Sequence, residues 1–233
     1  MNFIDLFSGA GGLSEGFIRQ GFNAVAHVEM DKASCNTLLT RTAYHYLVNK
    51  GHKNVYVDYL KQKITREELY DLLPDNLRNS VINEPISEDN NTKIYERIDK
   101  VKGVKEIDLI VGGPPCQAYS LIGRGADKNG MKKDERNYLY IQYAEFLKKY
   151  KPKAFVFENV LGLLSAKDEN GVKYLDKMLK LFREIGYETE YQLLHANNFG
   201  VLQNRKRVIL IGKRGNEKGF YPEFTKKDLD VNV

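Results

Sequence analysis

Cysteine is scarce in this chain: there are two among 233 residues, Cys35 and Cys116, in unlike surroundings. That argues against a disulfide framework and suits a reducing compartment. Long hydrophobic runs are missing too. No stretch reaches the roughly 18 apolar residues that a membrane span needs, so no membrane association is expected. Met1-Asn2-Phe3-Ile4-Asp5 enters an apolar segment with no basic region ahead of it, and no secretory leader is expected. The four histidines, His27, His45, His52 and His195, lack paired ligand spacing, and no second cysteine stands near Cys116, so no metal centre is expected. Repeats and low-complexity tracts are also absent. The net charge of +5 permits nucleic-acid binding without requiring it.

What is present reads as an α/β chain. Phe3 to Phe7 is a short apolar strand, Ser8 to Gly12 a glycine-rich turn, and Leu13 to Ile18 a helix ending near Gly21. Ala24 to Val28 forms a second strand closing on Glu29, and Asp31 or Ser34 opens the next helix. Strand, glycine turn, helix, strand and acid in that order form the first half of a doubly wound, mostly parallel sheet of Rossmann type. The middle predicts a short strand over Asn54 to Val57, a helix over Thr65 to Leu73 with a capping start, and a third strand over Val81 to Ile86. Glu88 to Asn91 reads as a polar turn before a helix over Lys93 to Val101. Ile107 to Val111 is a buried strand. A helix is expected over Asp134 to Lys149, then a strand over Ala154 to Phe157 that ends in Glu158-Asn159-Val160. Leu175, Met178, Leu179 and Phe182 form a helical stripe. Tyr187 to Leu194 and Val208 to Ile211 suggest an antiparallel hairpin at one sheet edge.

Five places can carry chemistry. Gly9, Gly11 and Gly12 let a ligand approach the backbone at a helix N-terminus, or simply make a tight connection. Glu29 lies 20 residues after Gly9, where an acid can take ribose hydroxyls, or it is a solvated strand end. Cys116 follows Gly112-Gly113-Pro114-Pro115, a loop stiffened by two prolines, and that polar setting favours a nucleophile over a buried structural thiol. Glu158 at its strand end is either solvated or a poised acid. Arg205 and Arg207 stand two apart before a strand, so extended chain turns both to one side, where they can clamp a phosphate or a base.

In this order the residues resemble the C5-cytosine DNA methyltransferases. Asp5-Leu6-Phe7-Ser8-Gly9-Ala10-Gly11-Gly12 resembles the first motif of that family and Glu29-Met30-Asp31 the second. Gly113-Pro114-Pro115-Cys116-Gln117 resembles the nucleophile motif, Glu158-Asn159-Val160 the acid motif, and Gln203-x-Arg205-x-Arg207 the eighth. The resemblance implies S-adenosyl-L-methionine as methyl donor, S-adenosyl-L-homocysteine as product, and a flipped-out cytosine in double-stranded DNA as substrate. It implies Cys116 as nucleophile and Glu158 as its acid partner, with Arg205 and Arg207 on the flipped base and its phosphate. Cofactor contacts would come from Phe7, Ser8, Gly9, Ala10, Gly11, Gly12, Leu13, Glu29, Met30, Gly113, Pro115 and Leu139. The adenine-edge acid is Glu84, followed by Pro85 and Ile86, with Asp58 as the alternative. Pro115, Ser120, Asn159 and Gln203 would touch the substrate, and the glycine- and charge-rich segment from Leu121 to Lys133 would close over the DNA.

The resemblance carries further expectations. Residues 1–213 would be the catalytic domain and 214–233 the start of a linker. A target-recognition domain and two last motifs would follow in the family, so either the chain is truncated or a second chain completes it. Leu202 stands where the family usually has proline. A restriction-modification role in the bacterial cytosol, at the nucleoid when DNA is bound, is implied. An inactive regulatory module and the RNA-acting branch of the superfamily are the rival readings.

Overall fold

A computed structural model of the chain describes residues 1–115 and 138–227. It divides into two compact units, Met1–Ile107 and Asp108–Val233. Among the described residues the fold is mixed α/β, with parallel strand pairs and, as expected, an antiparallel hairpin as the last two strands.

In the first unit β1 (Asn2–Leu6) pairs in parallel with β2 (Asn23–Glu29), and β2 with β3 (Val81–Asn83). Phe3, Ile4, Leu6, Ala26, Val28 and Ile82 are fully buried, as short apolar runs in parallel strands should be. α1 (Gly12–Arg19) follows the glycine turn. α2 (Lys32–Asn49) is capped by Asp31, whose carboxylate accepts from the Ser34 N–H at 2.7 Å. Asp31 thus opens this helix.

The segment between α2 and β3 corrects one expectation. Asn54 to Val57 is not a strand but part of α3 (Lys53–Leu60). Val55, Tyr56 and Tyr59 recur at helical spacing and pack onto Ala43 and Leu47 of α2, and a helix buries that set on one side where a strand would split it. α4 (Arg66–Asp71) starts with the expected capping box between Thr65 and Glu68, and α5 (Asp75–Arg78) follows. A second correction concerns Glu88 to Asn91. Ser87 caps the chain there by accepting from the Asn90 N–H, so these polar residues are the first turn of α6 (Glu88–Lys102). Acidic residues in that turn suit the helix dipole. The third strand is shorter than expected and stops at Asn83, two residues before Pro85.

In the second unit β4 (Leu109–Gly112) is parallel to β5 (Ala154–Val160). β7 (Lys206–Arg214) runs antiparallel beside β5, and β6 (Tyr187–His195) is the outer strand, antiparallel to β7. Helices α7 (Leu139–Tyr150) and α8 (Tyr174–Glu184) cover an aromatic core. Tyr143, Phe155, Phe157 and Phe182 are all fully buried there. The Tyr143 hydroxyl lies 3.1 Å from the carbonyls of Ile110 and of Val156, which satisfies it between two strands. The stretch after Arg214 runs back along the outer hairpin. The Tyr221 N–H donates to Glu190 at 2.9 Å and its hydroxyl to the Ile209 carbonyl at 3.0 Å.

Candidate active site

The glycine turn of the first unit is built on strain and backbone hydrogen bonds. Phe7 leaves β1 with φ 54, a left-handed conformation that a bulky side chain seldom adopts. Ser8 anchors the bend: its hydroxyl donates to the Asp5 carbonyl at 2.8 Å and its N–H to the Val28 carbonyl at 3.2 Å. Gly11 has φ 82, a backbone conformation that favours glycine, and a Cβ there would also lie 2.9 Å from the Leu38 side chain. Glu29 closes the site. Its carboxylate accepts from the Gly9 N–H and from the Asp31 N–H, both at 2.8 Å. Each oxygen keeps a free lone pair, so both remain open to hydroxyl donors. Beside it the apolar side chain of Met30 stands 67% exposed.

The register of β2 and β3 sets Glu29 against Asn83, so Glu84 follows at the same strand end. The Glu84 N–H donates to the Glu29 carbonyl at 3.1 Å. Its carboxylate is paired with Lys93 at 2.6 Å and Arg97 at 3.6 Å from α6. Asp58 sits on α3 and pairs with Lys63 at 2.9 Å. Ile86 is buried. Gly12-Leu13-Ser14-Glu15-Gly16 also matches the letters of a hydrolase elbow, but Ser14 is buried and its hydroxyl donates to the Gly11 carbonyl at 3.2 Å.

The second unit holds Glu158, the expected acid. Glu158 lies within β5, opposite Ile209, while Val160 pairs with Arg207. That register brings the Arg207 Nε–H to the Glu158 carboxylate at 2.6 Å, with Arg205 at 3.6 Å from the same oxygen. The two arginines therefore share one side, as the spacing predicts. The other carboxylate oxygen lies over Gly113, where a Cβ would stand 2.7 Å away. Asn159 points the opposite way along the strand and is buried. Its amide donates to the Pro114 carbonyl at 3.4 Å, and its oxygen accepts from the Val160 N–H at 2.9 Å. The loop leaving β4 is thus tied to β5 through the Pro114 carbonyl, with Gly113 lying against the Glu158 carboxylate.

A family model described as C-5 cytosine-specific DNA methylase matches residues 1–73 and 67–232. The chain belongs to that family. It is 37% identical over 260 residues to the Type II methyltransferase M.Bpa9945I of Bacillus paralicheniformis, covering 100% of this chain and 58% of that one. It is 31% identical over 237 residues to the Type II methyltransferase M.AquIA of Picosynechococcus, covering 95% of this chain and 75% of that one. The solved Entamoeba histolytica methyltransferase EhMeth aligns with a TM-score of 0.59 over 98% of this chain and 57% of its own, at 14% identity, a likeness of fold alone. The chain spans about half the length of the curated relatives it first matches.

In this member of the cytosine-C5 methylases, the residues expected at the site fall into two groups. Phe7 to Leu13, Glu29, Met30 and Glu84 to Ile86 gather at one strand edge of the first unit. Gly113, Pro115, Glu158, Asn159, Arg205 and Arg207 belong to the second. Leu139 begins α7, and Gln203 is exposed in the connection before β7. Cys116 and Ser120 lie outside the described residues, as does the segment from Leu121 to Lys133. Sequence reasoning missed Asn83, whose place beside Glu29 depends on strand register, and the pairing of Glu84 with Lys93 and Arg97. Among the described residues no group of histidine, cysteine or acidic side chains could hold a metal, and no helix is long and apolar enough to cross a membrane.

Proposed function

We propose that this chain carries the catalytic part of a DNA cytosine-C5 methyltransferase of the restriction-modification type, acting in the bacterial cytosol with S-adenosyl-L-methionine. The observation that carries the reading is the Glu158–Arg207 contact of 2.6 Å on the strand beside the Pro114-Pro115 loop, an acid held where a base could meet it. Family membership gives that acid its substrate class.

The first unit fits the cofactor chemically. A ring the size of adenine needs an apolar partner, and Met30 is exposed beside two carboxylates. Glu29 would take the ribose hydroxyls through its free lone pairs, and Glu84 the exocyclic amine. Asp58, on α3 with Lys63, is the weaker choice for that role. Phe7 would face the sulfonium through its ring, and the backbone from Ser8 to Leu13 would receive the methionine end. Bound S-adenosyl-L-methionine supplies a methyl group on a positively charged sulfur, and S-adenosyl-L-homocysteine is left.

The residues of the second unit then have these tasks. The Cys116 thiolate adds to C6 of the flipped cytosine, so an S–C6 bond forms and the C5–C6 double bond opens toward N3. Glu158 holds a proton at N3, where the displaced electrons collect, and C5 becomes nucleophilic. Arg207 fixes the Glu158 carboxylate, and Arg205 stands ready for the base or its phosphate. Once C5 carries the methyl, a water takes the C5 proton, the C5–C6 double bond is restored, Cys116 leaves as thiolate, and N3 gives its proton back to Glu158. Asn159 steadies the loop through Pro114, and Pro115, Ser120 and Gln203 contact the nucleotide. Residues 1–213 serve as the catalytic domain, and reading of the DNA site falls to a part of the relatives' length that this chain does not span, on the same or a second polypeptide.

The test is methyl transfer from labelled S-adenosyl-L-methionine to duplex DNA, poly(dI-dC) and tRNA, with and without a relative's recognition domain added. Transfer to DNA that Cys116→Ala abolishes while cofactor binding persists supports the reading. Methylation retained by Cys116→Ala would refute the mechanism, and transfer to tRNA alone would refute the substrate.

A further inference from the structure

The carbonyls of Glu29 and Met30 emerge just where the β2–β3 ladder ends. A carbonyl at such an end must find a donor or stay solvated. Asn83, the last residue of β3, provides one for each: its side-chain amide donates to the Glu29 carbonyl at 3.1 Å and to the Met30 carbonyl at 2.8 Å. An asparagine amide has two hydrogens, and both are used. The Glu29 carbonyl also receives the Glu84 N–H at 3.1 Å and the Cys35 thiol at 3.4 Å. The Met30 carbonyl depends on Asn83 for its cross-strand tie. Met30 itself is 67% exposed, so packing holds its side chain only weakly.

We propose that Asn83 is a positioning residue for the adenosine half of the cofactor, holding the backbone that displays Met30 beside the Glu29 carboxylate. Asn83 touches no cofactor atom in this scheme. It continues the ladder one step past its end with a side chain, and so sets the direction in which Met30 stands. A serine at the same register has one hydroxyl hydrogen and could not donate to both carbonyls. The inference rests on the cofactor reading above.

The experiment combines two readouts on the full chain. The chain has four methionines, Met1, Met30, Met131 and Met178, so methyl-labelled methionine gives a spectrum in which Met30 is assigned by one substitution. In Asn83→Ala the Met30 methyl resonance should shift toward its value in unfolded chain before any ligand is added. Affinity for S-adenosyl-L-homocysteine, by calorimetry, should fall roughly ten-fold, the upper range for loss of a hydrogen bond. In a Met30→Ala background the same Asn83 substitution should cost less than about two-fold, since residues acting through one another are not additive. Asn83→Asp keeps the volume and removes both donors, and should behave as Asn83→Ala does, which separates the effect from a packing defect. An unchanged Met30 resonance, or a full ten-fold loss that persists without Met30, overturns the proposal. A wild-type chain that binds no S-adenosyl-L-homocysteine refutes the cofactor reading instead, and the Met30 resonance still decides what Asn83 does.

Discussion

The Cα of Gly113 lies so close to the carboxylate of Glu158 that a methyl group built on it would stand 2.7 Å from Oε2. The next nearest atoms are the Glu158 carbonyl at 3.4 Å and its Cβ at 3.7 Å, both in ordinary reach. The atom that must move is therefore the free end of a flexible side chain. Gly113→Ala should leave the fold intact, with a loss of less than about 1 kcal/mol, because only one rotamer is displaced. The same displacement pulls the carboxylate off the Arg207 Nε–H. Methyl transfer should fall by roughly 100-fold, the range for a misplaced acid–base group. Thermal unfolding and an initial-rate assay on the same sample check both halves, and a variant of full activity would show that the position of Glu158 is not critical.

Gly212 gives the opposite case. A Cβ there would lie 1.9 Å from Cε1 of Phe155, whose ring packs 4.7 Å from Phe182 and 5.9 Å from Tyr143 between ring centres. No atom in that contact is a free end. Overfilling such a core typically costs about 3 kcal/mol at its upper range, so Gly212→Ala should be markedly less stable. The urea midpoint should fall while the slope of the transition is unchanged.

The third prediction concerns acid. Glu15 on α1 meets Arg19 at 2.7 Å, Arg41 at 2.6 Å and His45 at 2.9 Å. Burial pushes its carboxyl up, but hydrogen bonds from His45 and Arg19 and the charge of Arg41 outweigh that and hold it at about 2 instead of 4.5. A carboxyl depressed in the folded state stabilises above its unfolded value and stops doing so as it is protonated. The contribution of Glu15 is thus complete above pH 4.5 and is lost as pH falls toward 2. Glu15→Gln should be less stable than wild type at neutral pH, and the gap should close across that window. Paired thermal melts at steps of pH measure it, and a constant gap would contradict the assignment.

Much of the site was legible in one dimension because its chemistry sits on short motifs. The glycine turn, Glu29, Glu158 and the paired arginines each lie within a few residues of a strand end, and apolar runs mark strands without help from partners. The segment from Lys53 to Asp71 was less legible. Val55-Tyr56-Val57 has the composition of a strand, and only the packing of Val55, Tyr56 and Tyr59 against α2 makes it a helix. Glu88 to Asn91 was misread for a local reason: one hydrogen bond from Asn90 to Ser87 turns a polar stretch into a helix start.

The amino-acid sequence alone determined the α/β class and the order of the motifs, and it nominated Glu158 as acid, Cys116 as nucleophile and Arg205 and Arg207 as their basic pair, since these choices depend on residue type and near-neighbour spacing. Tertiary structure decided which of those groups meet. Register placed Arg207 on Glu158 across 49 residues, set Asn83 under Met30 across 53, and brought Glu84 rather than Asp58 beside Glu29. Those choices follow from how strands pair, and a slip of one residue would turn each side chain to the opposite face.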